Sequence, residues 1–142
     1  MKIRQKGTAA LEFALILPLL IVLTMTTTEF GRAIFEYNTV VKSVRNATRY
    51  LAVQTPNTKT TEAKNLVVYG NTTGTGTALA RGLTVALVAT PTWQLTGSYP
   101  LTNLVTITVK GYTFKSLFAS VFGVSFGNIT FGDISASMRS SL

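Results

Sequence analysis

Residues 8–53 read TAALEFALILPLLIVLTMTTTEFGRAIFEYNTVVKSVRNATRYLAV, and no charged residue occurs between Phe13 and Thr28. With Thr8 to Glu12 added, the apolar part reaches the roughly 20 residues that cross a bilayer as a helix. The pattern then changes without a break. Phe30, Ala33, Ile34, Tyr37, Val40, Val41, Val44, Ala47 and Leu51 recur at helical spacing, with charges on the other side. Glu29, Arg32 and Glu36 are spaced to pair across single turns. One helix is therefore expected from about Thr8 to Val53, close to 70 Å long at about 1.5 Å per residue. Pro18 lies inside it and is expected to kink the axis by removing a backbone donor.

Three cations, Lys2, Arg4 and Lys6, precede the apolar run, whereas Glu29, Arg32 and Glu36 nearly cancel beyond it. That asymmetry places the N-terminus in the cytoplasm and the rest outside, as a single pass. The exit TMTTTEFGR lacks the small-x-small pattern of a secretory cleavage site, so the segment reads as retained.

The 142 residues carry a formal charge of +8, and neither cysteine nor histidine is among them. Thiolate and imidazole metal sites, Cys or His catalysis and disulfide staples are thereby excluded. Without the leader cations, ten basic and five acidic residues remain. This mild surplus serves solubility and does not by itself mark a nucleic-acid binder.

Beyond residue 53 the composition turns to strand and turn formers. Leu66 to Tyr69 and Leu83 to Val88 read as strands, separated by the flexible Gly/Thr-rich loop Gly70 to Thr77. Leu104 to Lys110 is the cleanest strand, with Val105, Ile107 and Val109 on one face. Lys115 to Phe126 reads as a helical or irregular turn. A last strand runs through Ile129, Phe131, Ile134, Ala136 and Met138, with Gly132-Asp133 as a bulge where the alternation changes parity. Such faces need a cover and the helix needs a partner, so the expected fold is α+β. A long N-terminal transmembrane and amphipathic helix packs on a small antiparallel sheet of three or four strands.

Catalytic signals are weak. The loop at Gly70 to Thr77 lacks the Lys-Ser/Thr of a phosphate loop, and Leu79 stands where a dinucleotide fingerprint needs glycine. Lys115-Ser116 are merely adjacent, and outside the helix the only acids are Glu62 and Asp133. No enzyme, cofactor or metal is expected. Lys42, Arg45 and Arg49 form a basic stripe, read first as a solvated face, with phosphate contact or pairing with a neighbouring subunit's acids as the sharper alternatives.

Glu12 remains. As a charge snorkelling at the membrane edge it is bland; as an acid within an apolar span it is a functional suspect. Its context, a basic leader ending in Gly7 and then Thr8-Ala9-Ala10-Leu11-Glu12, resembles the processing site of type IV prepilins. More closely, Ala10-Leu11-Glu12-Phe13-Ala14, Leu17-Pro18-Leu19, Glu29-Phe30-Gly31-Arg32, the Arg45, Ala47, Arg49-Tyr50 pattern and the closing Ala136-Ser137-Met138-Arg139 resemble the TadE-like family. These are pseudopilins of tight-adherence (Flp) pilus systems.

The resemblance implies a leader, residues 1–7, removed by a prepilin peptidase between Gly7 and Thr8. It also implies an inner-membrane stage and a role in pilus assembly, with other pilins, pseudopilins and inner-membrane assembly proteins as partners. A transmembrane half (8–28), an amphipathic half (29–53) and a periplasmic β-rich head (54–142) follow, the whole residing in the membrane or entering an extracellular pilus. Cutting after Gly7 creates an amine on Thr8, one helical turn from Glu12, and the acid becomes an assembly charge. Glu29, Arg32, Glu36, Lys42, Arg45 and Arg49 are candidate subunit contacts. The rival expectation is a permanently anchored periplasmic binding module in which Glu12 only sits at the membrane edge.

Overall fold

The computed structural model describes residues 6–118 and 120–140. Helix α1 runs from Lys6 to Ala52 and passes through Pro18 without interruption. Its outer half carries the head. Val40, Val44, Ala47, Thr48 and Leu51 are all fully buried, and they lie on one line of the helix. Against this line pack strand β2 (Thr102–Val109), strand β7 (Ile134–Ser140) and helix α2 (Thr60–Tyr69).

Strand β1 (Thr92–Thr96) completes a three-stranded antiparallel sheet in the order β1-β2-β7. On β2 the residues Asn103, Val105, Ile107 and Val109 are buried, and the alternate ones are half-buried. Register places Val105 opposite Met138, Ile107 opposite Ala136 and Val109 opposite Ile134. The alternation read from sequence is thus the core face of the central strand. The Thr48 hydroxyl reaches the Ala136 carbonyl at 3.4 Å, tying stem to sheet.

Several elements differ from the sequence reading. Leu66 to Tyr69 is not a strand but the end of α2. Ala63 and Val67, one turn apart, are buried in the common core with α1, and that packing overrides the β-propensity of Leu-Val-Val-Tyr. Gly70, at φ 73°, stops the helix and donates its N–H to the Leu66 carbonyl. Leu83 to Val88 is not a strand either. It holds a 3₁₀ turn, Val85–Leu87, and only Val88 bridges to the sheet, opposite Val109. One edge of the sheet is instead β1, which begins directly after Pro91, a position that suits proline because an edge has no ladder bond to lose.

Gly132-Asp133 is no bulge. It links two strands of different sheets: β6 (Ile129–Thr130), paired with β3 (Thr113–Phe114), and β7. Between β3 and β6 lies a small hairpin, β4 (Ser120–Val121) and β5 (Val124–Ser125). The loop at 70–77 is cross-linked by the Asn71 side chain. Asn71 Oδ1 accepts from the Gly74 and Thr75 N–H groups and the Thr73 hydroxyl, while Nδ2 donates to the Thr75 carbonyl at 2.7 Å.

Candidate functional site, the stem and its junction with the head

The inner half of α1 is largely uncovered by the rest of the chain, the head reaching only the side that carries Val22, Met25 and Thr26. Leu11, Phe13, Leu15, Ile16, Leu19, Leu20 and Leu23 are all exposed, on every side of the helix. By length and composition this helix can cross a membrane. Its threonines are compatible with lipid, because Thr24, Thr26, Thr27 and Thr28 return their hydroxyls to carbonyls one turn back at 2.7–2.9 Å. Glu12 is exposed on this half, one turn after Thr8. Lys2 and Arg4 lie outside the described residues, as does the side chain of Lys6.

Where the apolar half ends, the polar residues converge. Arg32 Nη1 lies 2.7 Å from Glu29 Oε1, and Nη2 lies 3.5 Å from Glu36 Oε1. Glu29 is buried, and its other oxygen accepts the backbone N–H of Leu117 at 3.3 Å. The Tyr112 hydroxyl donates to Glu36 Oε2 at 2.8 Å, and the Phe114 ring lies under the Arg32 guanidinium at 5.2 Å. Two acids of the stem are thus held by the β2–β3 segment and the loop after it, with Arg32 shared between them. Burial, then the Glu36 carboxylate, push the Tyr112 pKa upward, since both disfavour the phenolate. Phe131 stacks on Tyr112 and also meets Tyr37.

Spacing alone proposes the Arg32 pairs. Tyr112, Phe114 and the Leu117 amide were not legible as their partners, being at least 76 positions away in the chain. Candidate contacts Glu29, Arg32 and Glu36 are thereby engaged within the chain. Lys42, Arg45 and Arg49 are exposed, and among the described residues none of them is ion-paired. They sit about 120–180° around the helix from the buried line, on the back of the stem. Phe30 and Ile34 were expected in the buried stripe but are 58% and 59% exposed. Ile34 lies about 100° away from the line through Ala33, Val40 and Leu51, past the arc the head covers, whereas Phe30 stands at the lower edge of the head, where it borders a cavity with Val124 to Ile129.

Residues 7–49 match the TadE-like protein family. The match begins at Gly7 and ends in the last turn of α1, so it covers Glu12, the exposed apolar half, the Glu29–Arg32–Glu36 cluster and the basic stripe. The head lies outside it. No curated protein and no solved structure matches the chain.

Proposed function

We propose that the protein is a membrane-anchored minor pilin, or pseudopilin, that acts in the assembly of a tight-adherence pilus. The observation that carries this is the division of α1. Within the TadE-like match the stretch from Leu11 to Leu20 is largely exposed and, Glu12 apart, apolar round the helix, whereas after Glu29 one face of the helix is buried under a head. A helix of that kind needs two environments: lipid before extraction and neighbouring helices after it.

In this reading a prepilin peptidase cuts between Gly7 and Thr8 on the cytoplasmic side of the inner membrane, and the head faces the periplasm. Glu12 then docks with the amine of Thr8, on its own chain or on a neighbour, and sets the register of the assembled helices. The protein is a substrate of processing and carries out no reaction itself.

Intact-mass measurement of the membrane-extracted protein tests this. Cells with an active prepilin peptidase should yield a chain lacking Met1 to Gly7. A full-length chain in those cells would instead favour a permanently anchored module.

A further inference from the structure

The membrane-side end of the head has its own chemistry. Between Lys115 and Asp133 the chain has no charged residue, yet it contains Leu117, Phe118, Val121, Phe122, Val124 and Phe126. Leu117, Phe122 and Val124 are 54%, 66% and 44% exposed. Phe122 and Gly123 form the two-residue turn of the β4–β5 hairpin, with φ of 48° and 81°. Turns with positive φ at both positions favour Asn-Gly, and a bulky side chain there is sterically disfavoured. Here the strained position carries an aromatic ring that the chain itself leaves uncovered.

Its location is fixed by contacts with the stem. Tyr112 meets Glu36, Phe114 meets Arg32, and Leu117 meets Glu29, so the chain descends α1 toward the apolar half as it approaches the hairpin. On the return, Val124 to Ile129 share a cavity of about 400 Å³ with Thr26, Glu29 and Phe30. Val22, Met25 and Thr26, on the head-facing side of α1, are half-buried, while Leu20 and Leu23 are exposed. Residues 8–28 measure about 31 Å at about 1.5 Å per residue, which matches a hydrocarbon core of about 30 Å. The hairpin therefore hangs at the level where the helix leaves that core.

We propose that the β4–β5 hairpin is a second membrane contact, its Phe122 tip seated at the headgroup–acyl boundary beside α1. This rests on the reading of residues 8–28 as a membrane span. Lipid is the occupant because the uncharged tip continues the apolar surface of the span at the same depth. A phenylalanine ring is one of the apolar groups that insert at that boundary, and the exposed Lys115 flanks the segment at headgroup level, where an ammonium meets lipid phosphate. With two points of attachment the head is held in one orientation on the bilayer, and extraction into a filament requires the hairpin to withdraw.

Because the chain has no cysteine, single-cysteine labelling is clean. Full-length protein carrying an environment-sensitive fluorophore at Phe122→Cys, Val124→Cys, Leu19→Cys or Thr73→Cys is reconstituted in phosphatidylethanolamine/phosphatidylglycerol vesicles. Quenching by nitroxide lipids and by iodide is then read. The expected result is quenching of the Phe122 and Val124 labels by shallow nitroxides, of Leu19 by deep ones, and of Thr73 by iodide alone. Adding Phe122→Asn, which suits the turn and preserves the hairpin, should abolish lipid quenching at Val124. Iodide access at Phe122 and Val124 equal to that at Thr73 overturns the proposal. So does shielding from iodide without lipid quenching, which would mark a protein neighbour, and so does lipid quenching at Val124 that survives Phe122→Asn. Loss of lipid quenching at Leu19 would instead remove the membrane span itself, and the proposal with it.

Discussion

Tyr112 and Glu36 are joined by a 2.8 Å hydrogen bond across 76 positions of sequence, the phenol of the head donating to a carboxylate of the stem. Tyr112 is fully buried and so cannot exchange this partner for water. Tyr112→Phe should lower stability by about 1.5–3 kcal/mol, the range for a hydrogen bond to a charged group. Thermal unfolding of the detergent-solubilised protein measures it. The same contact sets a pH dependence. Burial and Glu36 raise the folded-state pKa of Tyr112 above its ordinary 10.0, so the folded chain holds the phenolic proton more tightly than the unfolded one. The resulting stabilisation is complete below pH 10 and is lost as pH climbs from there toward the folded-state value. Above about pH 10 the wild type should lose stability more steeply than Tyr112→Phe; parallel curves would assign the alkaline loss to other groups.

Glu29 has the same junction role one step closer to the membrane. Glu29→Leu leaves the Leu117 N–H and one arm of Arg32 without their acceptor, at a cost of about 2 kcal/mol. Glu29→Gln keeps an acceptor and should cost less. The distinguishing measurement is hydrogen exchange at the Leu117 amide, which should accelerate in Glu29→Leu. Unchanged exchange would show that the loop is held by other contacts.

The parts of this molecule that sequence discloses are those in which one chemical period decides the environment. α1 shows its two halves because lipid accepts apolar side chains all round, whereas a head accepts only one stripe. β2 shows its core face through Val105, Ile107 and Val109. Leu66 to Tyr69 reads as strand because Leu-Val-Val-Tyr favours strand locally, and only the tertiary fit of Ala63 and Val67 against α1 makes this stretch the end of a helix. The Gly70 stop and Glu62 in the first turn were the available signals. The junction was half legible: Glu29, Arg32 and Glu36 stand at pairing distance in sequence, but nothing local indicates that Tyr112 and the Leu117 amide complete their coordination. Those contacts exist only once the sheet has been laid on the stem.

Asn71 organises the loop that follows α2, and its side chain accepts and donates within five residues. Asn71→Ala should cost about 1 kcal/mol through the loss of these bonds. Limited proteolysis is the sharper readout, with new cleavage between Asn71 and Thr77 expected. Protection equal to that of wild type would mean that the glycines alone fix the turn.

Glu12 tests the assembly reading directly. A carboxylate held in hydrocarbon costs roughly 2.5–3.5 kcal/mol on insertion scales, and a nearby amine offsets much of that. Before processing, the Thr8 nitrogen is an amide and offers no charge; after a cut at Gly7 it becomes an α-amine, largely protonated at neutral pH. Attraction between residues 8 and 12 therefore arises only in the mature chain, and between neighbouring chains only when their helices are in register. Glu12→Ala should be cleaved at the wild-type position, by intact mass, yet enter the sheared pilus fraction poorly or lower pilus output. Normal cleavage with normal piliation would return Glu12 to a charge at the membrane edge. Loss of cleavage itself would place its role at the peptidase rather than in assembly.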